Sequence, residues 1–167
     1  MSVLPIIKYP APVLRARAKA TPAPDAGLKR LARDMLETMR AANGIGLAAP
    51  QISRPLRLIV AAPEEAGAPP LVFFNPRIVF SAAETAVREE GCLSMPGISA
   101  PVRRPARVCV AGLNLDGAEY EVRAEGLLAS CLQHEIDHLN GALFIDHLSR
   151  LRKGRLLAKY LKLQKDG

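Results

Sequence analysis

Two histidines and a glutamate in the last third of the chain have the types and spacing of a metal site. His134 and His138 are four residues apart, which places their imidazoles on one helix face, about 5.4 Å apart along the axis. Glu135 follows the first histidine, where its carboxylate can reach a metal-bound water and act as a general base. A pair of hydrogen-bonded core histidines is the alternative. Because only three histidines occur in the chain and two fall in this motif, the sequence favours metal ligation.

The motif needs a third ligand, because a catalytic metal of this kind usually has three protein ligands and one open position. Metallopeptidases with His-Glu-x-x-His take theirs from further along the chain, and the extended motif requires a histidine where this chain has Phe144. No glutamate follows Glu135. Asp146 and His147 remain as downstream candidates without the spacing of that class. We therefore expect the third ligand to lie upstream.

Cys92 and Cys131 are the two upstream candidates. Cys131 is seven residues before His138 on the same predicted helix, so their Cα atoms are about 10.5 Å apart along the axis. Its short side chain cannot also make a bond of about 2.3 Å to a metal shared by both histidines. Cys92 follows a glycine that lets the backbone approach closely, and it is our candidate ligand. An inert buried thiol is the alternative for Cys92 and our interpretation of Cys109.

Three segments carry most of these residues in order along the chain. They are Gly44-Ile45-Gly46-Leu47-Ala48-Ala49-Pro50-Gln51, Glu90-Gly91-Cys92-Leu93-Ser94 and Gln133-His134-Glu135-Ile136-Asp137-His138. Together they resemble the motifs of the peptide deformylase family, and the likeness extends over about residues 6 to 148, closest to the compact bacterial type. The resemblance implies an enzyme that removes the formyl group from the N-terminal formyl-methionine of new polypeptides and releases formate.

The resemblance also implies a role for each matching residue. The metal ligands would be Cys92, His134 and His138, and the catalytic residues would be Glu135, Gln51, Leu93 and Gly46. In this scheme Glu135 is the general acid and base, and Gln51 and the Leu93 backbone N–H stabilise an oxyanion. Metal binding lowers the pKa of water from 15.7 to about 7 in a good site, and each oxyanion donor contributes roughly 3 kcal/mol in comparable enzymes.

Four further residues are predicted to form the substrate pocket: Gly44, Ile45, Leu127 and Cys131. Leu127 and Cys131 lie seven and three residues before His134, on the same helix face, which supports a place beside the metal. Ordinary core packing is the alternative. The chain departs from common family patterns at three other positions near the inferred substrate: Arg88, Ser99 and Ser130. Methionine selectivity and peptide affinity are therefore open.

One divalent metal ion per chain is the cofactor that this ligand set implies. A thiolate with two imidazoles makes a soft site that suits Fe2+, Zn2+ or Ni2+. The resemblance implies Fe2+ as the native metal, with Zn2+ or Ni2+ as alternatives. An iron–thiolate site would be sensitive to oxygen, because the sulfur can oxidise.

The elements that must position these residues are those of an α+β fold. Helical spacing predicts a first helix over 28–42, with Asp25 as its cap and Gly44 at its end. Residues 127–139 are apolar on most sides and stop at Asn140-Gly141, which predicts a buried central helix that carries the histidine motif. A mostly antiparallel sheet is predicted from β-rich runs at 56–60, 71–74, 78–80, 107–110 and 120–122, with a hairpin turn at Asp116-Gly117.

Positive charge is concentrated at the carboxyl end. Residues 150–167 hold seven basic side chains and one acidic one, so this segment contributes six of the seven net positive charges. Its apolar residues recur on one face, which predicts an amphipathic helix. Because newly made formylated chains emerge from ribosomes, the helix is a candidate for holding the enzyme near ribosomal RNA. A solvated helix face is the alternative.

Length and composition set the remaining expectations. A chain of 167 residues suits one domain, 1–167, and no apolar run approaches the roughly 18 residues of a membrane span. Three cysteines are an odd number for a disulfide framework. We expect a cytoplasmic monomer that acts on N-formylmethionyl peptides and has no membrane partner. A peptidase and a non-catalytic RNA-binding module are the rival functions, and the second leaves the metal residues without a role.

Overall fold

Three α-helices and seven β-strands make up most of residues 2–63 and 65–167, which the computed structural model describes. The helices are α1 (Ala26–Ala41), α2 (Gly126–Leu139) and α3 (Arg150–Asp166). The strands are β1 (Gly46–Ala48), β2 (Leu58–Ala61), β3 (Leu71–Ser81), β4 (Thr85–Cys92), β5 (Met95–Pro105), β6 (Arg107–Leu113) and β7 (Glu119–Glu125). Short 3-10 helices lie at Pro12–Arg15, Ala49–Ile52 and Phe144–His147. The predicted α+β class is confirmed.

The strands form two antiparallel sheets. One has five strands in the order β1-β2-β3-β6-β7, and the other is the hairpin of β4 and β5. The predicted turn at Asp116-Gly117 connects β6 to β7, and Gly117 has the positive φ of 80° that such a turn requires. The runs predicted at 71–74 and 78–80 belong to the single strand β3, whose register shifts between Phe74 and Arg77.

The sequence pattern did not predict the β4–β5 hairpin or the short strand β1. β4 contains a run of charged residues, and β5 contains Pro96, Pro101 and Pro105, all of which weaken a strand signal. Because the hairpin has only two strands, each has an edge whose backbone N–H groups need no ladder partner, and prolines are tolerated there. Cys92 lies at the end of this hairpin.

Helix α1 begins as predicted and ends slightly earlier. The Asp25 side chain accepts a hydrogen bond of 2.8 Å from the Leu28 backbone N–H, so the predicted cap is confirmed. The predicted end at Gly44 is wrong: the helix ends at Ala41, and Asn43 takes the left-handed conformation with φ 57°. Asparagine tolerates this conformation because its short polar side chain can bond locally.

Helix α2 is buried against one face of the five-stranded sheet, which confirms the predicted central helix. Side chains alternate along β2: Ile59 packs in the cluster that contains Leu132 of α2, whereas Leu58 and Val60 face the opposite side, where α1 packs. At the end of α2, Gly141 has φ 75°, and a side chain there would collide with the Arg15 carbonyl. The predicted stop at Asn140-Gly141 is therefore confirmed.

Helix α3 packs on β5 around one fully buried side chain, with Leu156 and Leu157 partly buried beside it. Tyr160 is fully buried, and its hydroxyl donates a hydrogen bond of 2.9 Å to the Tyr9 carbonyl. The apolar side of this helix is unevenly buried: Tyr160 is enclosed, whereas Leu161 and Leu163 at its end are 54% and 41% exposed. Leu163 still approaches β5, because a Cβ atom at Gly97 would lie 2.9 Å from the end of its side chain. None of the helices in residues 2–63 and 65–167 has the length and apolar character needed to cross a bilayer.

Candidate metal centre and active site

The structure brings the three predicted metal ligands together at the junction of the β4–β5 hairpin and α2. Sulfur or nitrogen atoms of Cys92, His134 and His138 all lie within 4.8 Å of one another. Cys92 Sγ is 3.4 Å from His138 Nε2. No other group of three or more metal-binding side chains at such distances occurs in the described ranges 2–63 and 65–167.

Local structure explains how each ligand reaches the cluster. The register of the hairpin shifts between Gly91 and Cys92, and such irregularities re-aim the side chains that follow them. Cys92 then pairs with Met95 across the two-residue turn Leu93-Ser94. The two histidines are one helical turn apart, and their ring centroids are 5.0 Å from each other. A hairpin end and a helix face therefore supply the three ligands.

The rival ligand candidates are engaged elsewhere. The Asp146 carboxylate pairs with Arg15 at 2.6 Å and with Lys153 at 2.9 Å. Cys131 lies on the pocket side of α2, with its sulfur 3.5 Å from the Ile45 carbonyl oxygen. The remaining residues raised by the sequence also lie outside the cluster: Cys109 is buried in β6, and His147 bonds to Asp137.

A buried ion pair between Glu90 and Arg104 contacts the Nδ1 side of the His134 ring. The Glu90 carboxylate is 3.0 Å from His134 Nδ1, and both side chains are buried. Arg104 is 5% exposed and donates two hydrogen bonds to Glu90, of 2.7 and 2.9 Å. Burial by itself would raise the pKa of Glu90, but hydrogen bonds from His134 and Arg104 hold that pKa below its usual range. Glu90 is therefore an anion that fixes the orientation of His134.

The same arginine reaches α2 at a second point. Arg104 Nη1 donates a hydrogen bond of 2.9 Å to Asp137, whose carboxylate also bonds to His147 Nε2 at 2.8 Å. Sequence reasoning missed the roles of these residues and of Glu90. One signal was present: Arg104 continues the alternate buried positions of Ala100 and Val102 along β5, so a charged residue occupies a core-facing position.

Glu135 lies beside the cluster without a cation to neutralise it directly. Its side chain is buried, and its Oε1 has no hydrogen-bond partner within residues 2–63 and 65–167. Burial raises the pKa of Glu135 to about 7, although the neighbouring His134 opposes this rise. A carboxylate with a pKa near neutrality can both accept and donate a proton.

Gly46 leaves the space that Glu135 occupies. A Cβ atom at position 46 would lie 2.6 Å from Glu135 Oε2 and 2.7 Å from Cys131 Sγ. At Gly44 a Cβ atom would lie 2.7 Å from the end of the Leu93 side chain. The two glycines therefore let β1 and the residues before it approach α2 and the turn of the hairpin closely.

Gln51 is the polar side chain that faces the cluster from the short helix Ala49–Ile52. Its Oε1 accepts a hydrogen bond of 2.9 Å from the Ala48 backbone N–H, which fixes the orientation of the amide. Its Nε2 then points toward Ser94 Oγ, at 3.1 Å, and Cys92 Sγ, at 3.6 Å. Leu93 lines the same region at the turn of the hairpin.

An open pocket of about 350 Å³ borders the cluster. The four predicted pocket residues all line it: Gly44, Ile45, Leu127 and Cys131. Ser130 lines it as well, whereas Arg88 and Ser99, which the sequence placed near the substrate, do not. Ser99 instead donates a hydrogen bond of 2.9 Å to Glu89.

The side chains of the cluster fit a divalent metal. Burial lowers the pKa of His138, which favours the neutral imidazole that a metal ligand must be. Glu90 occupies Nδ1 of His134 and leaves Nε2 free to bind. Glu135 Oε1 is buried without a hydrogen-bond partner in residues 2–63 and 65–167, and a metal-bound water would supply the missing donor.

One sulfur and two imidazole ligands, with a buried carboxylate beside them and an open pocket at their edge, are typical of metal-dependent hydrolases. Sequence comparison narrows this class. The polypeptide deformylase family model matches residues 3–154. The chain belongs to this family of hydrolases.

Several peptide deformylases resemble the chain over nearly its whole length. A peptide deformylase of Mesorhizobium japonicum is 52% identical over 168 residues, which cover 99% of this chain and 96% of the relative. One from Acinetobacter baumannii is 48% identical over 98% of this chain and 93% of the relative. The crystal structure of peptide deformylase from Ehrlichia chaffeensis superposes with a TM-score of 0.93 at 37% identity and covers 99% of this chain and 98% of that one.

Gly46→Ala tests the close approach of β1 to α2. We expect a loss of about 1–3 kcal/mol in the free energy of unfolding, because the added methyl group overlaps Glu135 and Cys131. Gly154→Ala in α3 is the matched control: its methyl group meets nothing within 4 Å, and alanine favours a helix by about 0.5–1 kcal/mol. Urea unfolding followed by circular dichroism measures both. A Gly46→Ala protein as stable as the unchanged chain would contradict the geometry.

Glu90→Gln tests the buried ion pair. The free energy of unfolding should fall by about 3–5 kcal/mol at pH 7, because Arg104 loses one of its two carboxylates. Glu89→Gln, which changes an exposed carboxylate on the same strand, should cost no more than about 0.5 kcal/mol. Because the pKa of Glu90 is depressed in the folded protein, its contribution is present above the ordinary value of 4.5 and is lost as the pH falls further. Equal losses of unfolding free energy in the two variants would show that the buried ion pair stabilises the protein no more than an exposed carboxylate does.

Proposed function

We propose that this chain is a metal-dependent deformylase that hydrolyses the N-formyl group of formyl-methionine at the start of new polypeptides. The observation that carries the proposal is the Cys92, His134 and His138 cluster with Glu135 beside it, in a chain of this family. A peptidase with the same helix motif would take its third ligand from a later segment, and the downstream candidates Asp146 and His147 are bound to other side chains. An RNA-binding module would leave the cluster without a role.

Glu135 is the proton carrier of the proposed reaction. A metal at the cluster would polarise the formyl carbonyl and lower the pKa of a water. Glu135 accepts a proton from that water while the water oxygen bonds to the formyl carbon. The C–N bond of the formyl amide then breaks. The same carboxyl group gives the proton to the departing amine, so the products are formate and a free N-terminus. Its pKa of about 7 suits both steps at neutral pH.

Gln51 and the Leu93 backbone N–H are the proposed donors to the oxygen that becomes negative during attack. The Gln51 amide is held by the Ala48 N–H, so its Nε2 faces the cluster before substrate arrives. A donor of this kind needs no reorganisation during the reaction and contributes roughly 3 kcal/mol in comparable enzymes. Leu93 occupies the turn that also sets the position of Cys92.

The pocket is proposed to bind the first side chain of the peptide. Leu127 and Cys131 line it from α2, and Ile45 lines it between Gly44 and Gly46, the two glycines that allow the close approach. Apolar walls of this kind suit an unbranched thioether side chain. We further propose Fe2+ as the native metal, with Zn2+ or Ni2+ able to replace it, in a cytoplasmic monomer whose residues 1–167 form one domain.

Anaerobic assay of formate release from formyl-Met-Ala-Ser tests the activity. Metal-loaded protein should release formate and leave the internal peptide bonds intact. Glu135→Gln should retain the metal and lose about 10²- to 10⁴-fold in turnover, because no proton carrier remains. Glu84→Gln, which changes a carboxylate that is 68% exposed on the surface, is the matched control and should keep the activity. Cleavage of an internal bond, or full turnover by Glu135→Gln, would refute the proposal.

Metal content tests the ligand set separately from turnover. Cys92→Ala should lose the bound metal after dialysis, because only two imidazoles remain. Cys109→Ala is the matched control. It should keep one ion per chain, since the Cys109 sulfur lies in β6 outside the cluster. Atomic emission on the folded proteins gives the ratio. Full occupancy in Cys92→Ala would mean that another residue is the third ligand.

The basic surface of α3 is proposed to bind ribosomal RNA. Trimming the helix is a poor test because Tyr160 is fully buried, so charge neutralisation is preferable. Changing the exposed residues Arg152, Arg155 and Lys159 to Gln should weaken co-sedimentation with ribosomes and reduce the slope of log affinity against log salt by about 2 to 3. The control changes three exposed arginines of α1 to Gln: Arg30, Arg33 and Arg40. Equal effects of the two triple variants would contradict a specific role for α3.

A further inference from the structure

The face of α2 that borders the pocket has a hydroxyl group between apolar neighbours. Leu127, Ser130 and Cys131 line the pocket on the same side of the helix as His134. Ser130 is half-buried, and its hydroxyl makes no hydrogen bond to another residue in the ranges 2–63 and 65–167. A serine within a helix often bonds to a carbonyl three or four residues earlier, so a free hydroxyl facing a cavity is available to a ligand.

The position of Ser130 along α2 sets which part of a bound side chain it meets. Ser130 and Cys131 are about one helical turn, or 5.4 Å, before His134, and Leu127 is about two turns before it. The formyl group reacts at the cluster, so the first side chain extends from there along α2. One helical turn is close to the reach of an extended methionine side chain. In a bound formyl-methionine we therefore expect Ser130 to lie nearer the side-chain sulfur than the reacting carbon.

Of the three α2 side chains that line the pocket before His134, Ser130 is the one with an uncommitted hydrogen to donate. The Cys131 sulfur is 3.5 Å from the Ile45 carbonyl oxygen and donates its hydrogen there, and burial raises the pKa of that thiol so that it stays protonated. Thioether sulfur is a weak acceptor, whereas an oxygen in the same place is a strong one. In a wholly apolar pocket such an oxygen would lose its hydrogen bonds to water without gaining new ones. This desolvation penalty excludes polar side chains from apolar pockets.

We propose that Ser130 is a specificity-determining residue that broadens the pocket to first side chains with a hydrogen-bond acceptor at the place of the methionine sulfur. Methionine sulfoxide, the common oxidation product of methionine, is the side chain of this class that a formylated peptide would carry. The inference rests on the proposed deformylase function. It adds that oxidised formyl-methionine remains a substrate, because the Ser130 hydroxyl donates to the sulfoxide oxygen.

Three peptides that differ only in their first side chain test the proposal: formyl-Met-Ala-Ser, formyl-norleucine-Ala-Ser and formyl-methionine sulfoxide-Ala-Ser. Norleucine keeps the length of methionine and has no acceptor. The ratio of kcat/KM for the sulfoxide to that for norleucine should fall about 3- to 10-fold in Ser130→Ala, the effect of one neutral hydrogen bond. Ser130→Thr keeps the hydroxyl and should preserve most of the ratio. Ser81→Ala, an exposed serine outside the pocket, should leave it unchanged.

A ratio has the advantage that the fraction of active protein cancels, so a poorly folding variant still reports selectivity. An unchanged ratio in Ser130→Ala, with formate released from formyl-Met-Ala-Ser, overturns the role of Ser130 and leaves the proposed function standing. An equal fall in Ser81→Ala also overturns it. No formate from any of the three peptides with the metal-loaded chain overturns the proposed function and this inference together.

Discussion

The buried guanidinium of Arg104 is the group on which the arrangement of the site depends. The β4–β5 hairpin is not part of the five-stranded sheet, so it has no ladder of hydrogen bonds to hold it in place beside α2. Arg104, on β5, donates hydrogen bonds both to Asp137 on α2 and to Glu90 on the neighbouring strand β4. A charge that is 5% exposed is tolerated only with such partners, so the hairpin and the helix have one relative position in which Arg104 is satisfied.

That position determines the chemistry of two buried carboxylates that interact with His134. Burial acts on both, but Glu90 has Arg104 and His134 as donors, and its pKa is lowered. Glu135 has no such cation bond, and burial raises its pKa to about 7. One carboxylate is thereby kept as a permanent anion that orients a ligand, and the other is able to exchange a proton. Divergent pKa values of this kind separate structural from reactive groups in one site.

Much of this arrangement could be predicted from local pattern. A stretch of about 15 residues contains the i, i+4 histidines, the apolar helix around them and the stop at Gly141. Within a helix, sequence spacing directly gives the distance between side chains. Exclusion of Cys131 as a ligand followed from the same geometry. Two features could not be read in this way. The hairpin was hidden by its charges and prolines, and amphipathic spacing did not show how much of each apolar side chain of α3 is buried. The role of Arg104 was hidden as well, because it lies in the hairpin and its partners are 14 and 33 residues away in the sequence.

The claim that Cys92, His134 and His138 hold one metal ion can be tested most directly by diffraction from crystals of Zn2+-loaded protein at the zinc absorption edge. The account predicts one anomalous peak per chain, about 2.3 Å from Cys92 Sγ and about 2.0–2.1 Å from one ring nitrogen of each histidine. It also predicts that Glu90 remains bonded to His134 Nδ1, on the side of the ring away from the ion. A zinc ion bound elsewhere in the chain, or at this site without Cys92, would contradict it.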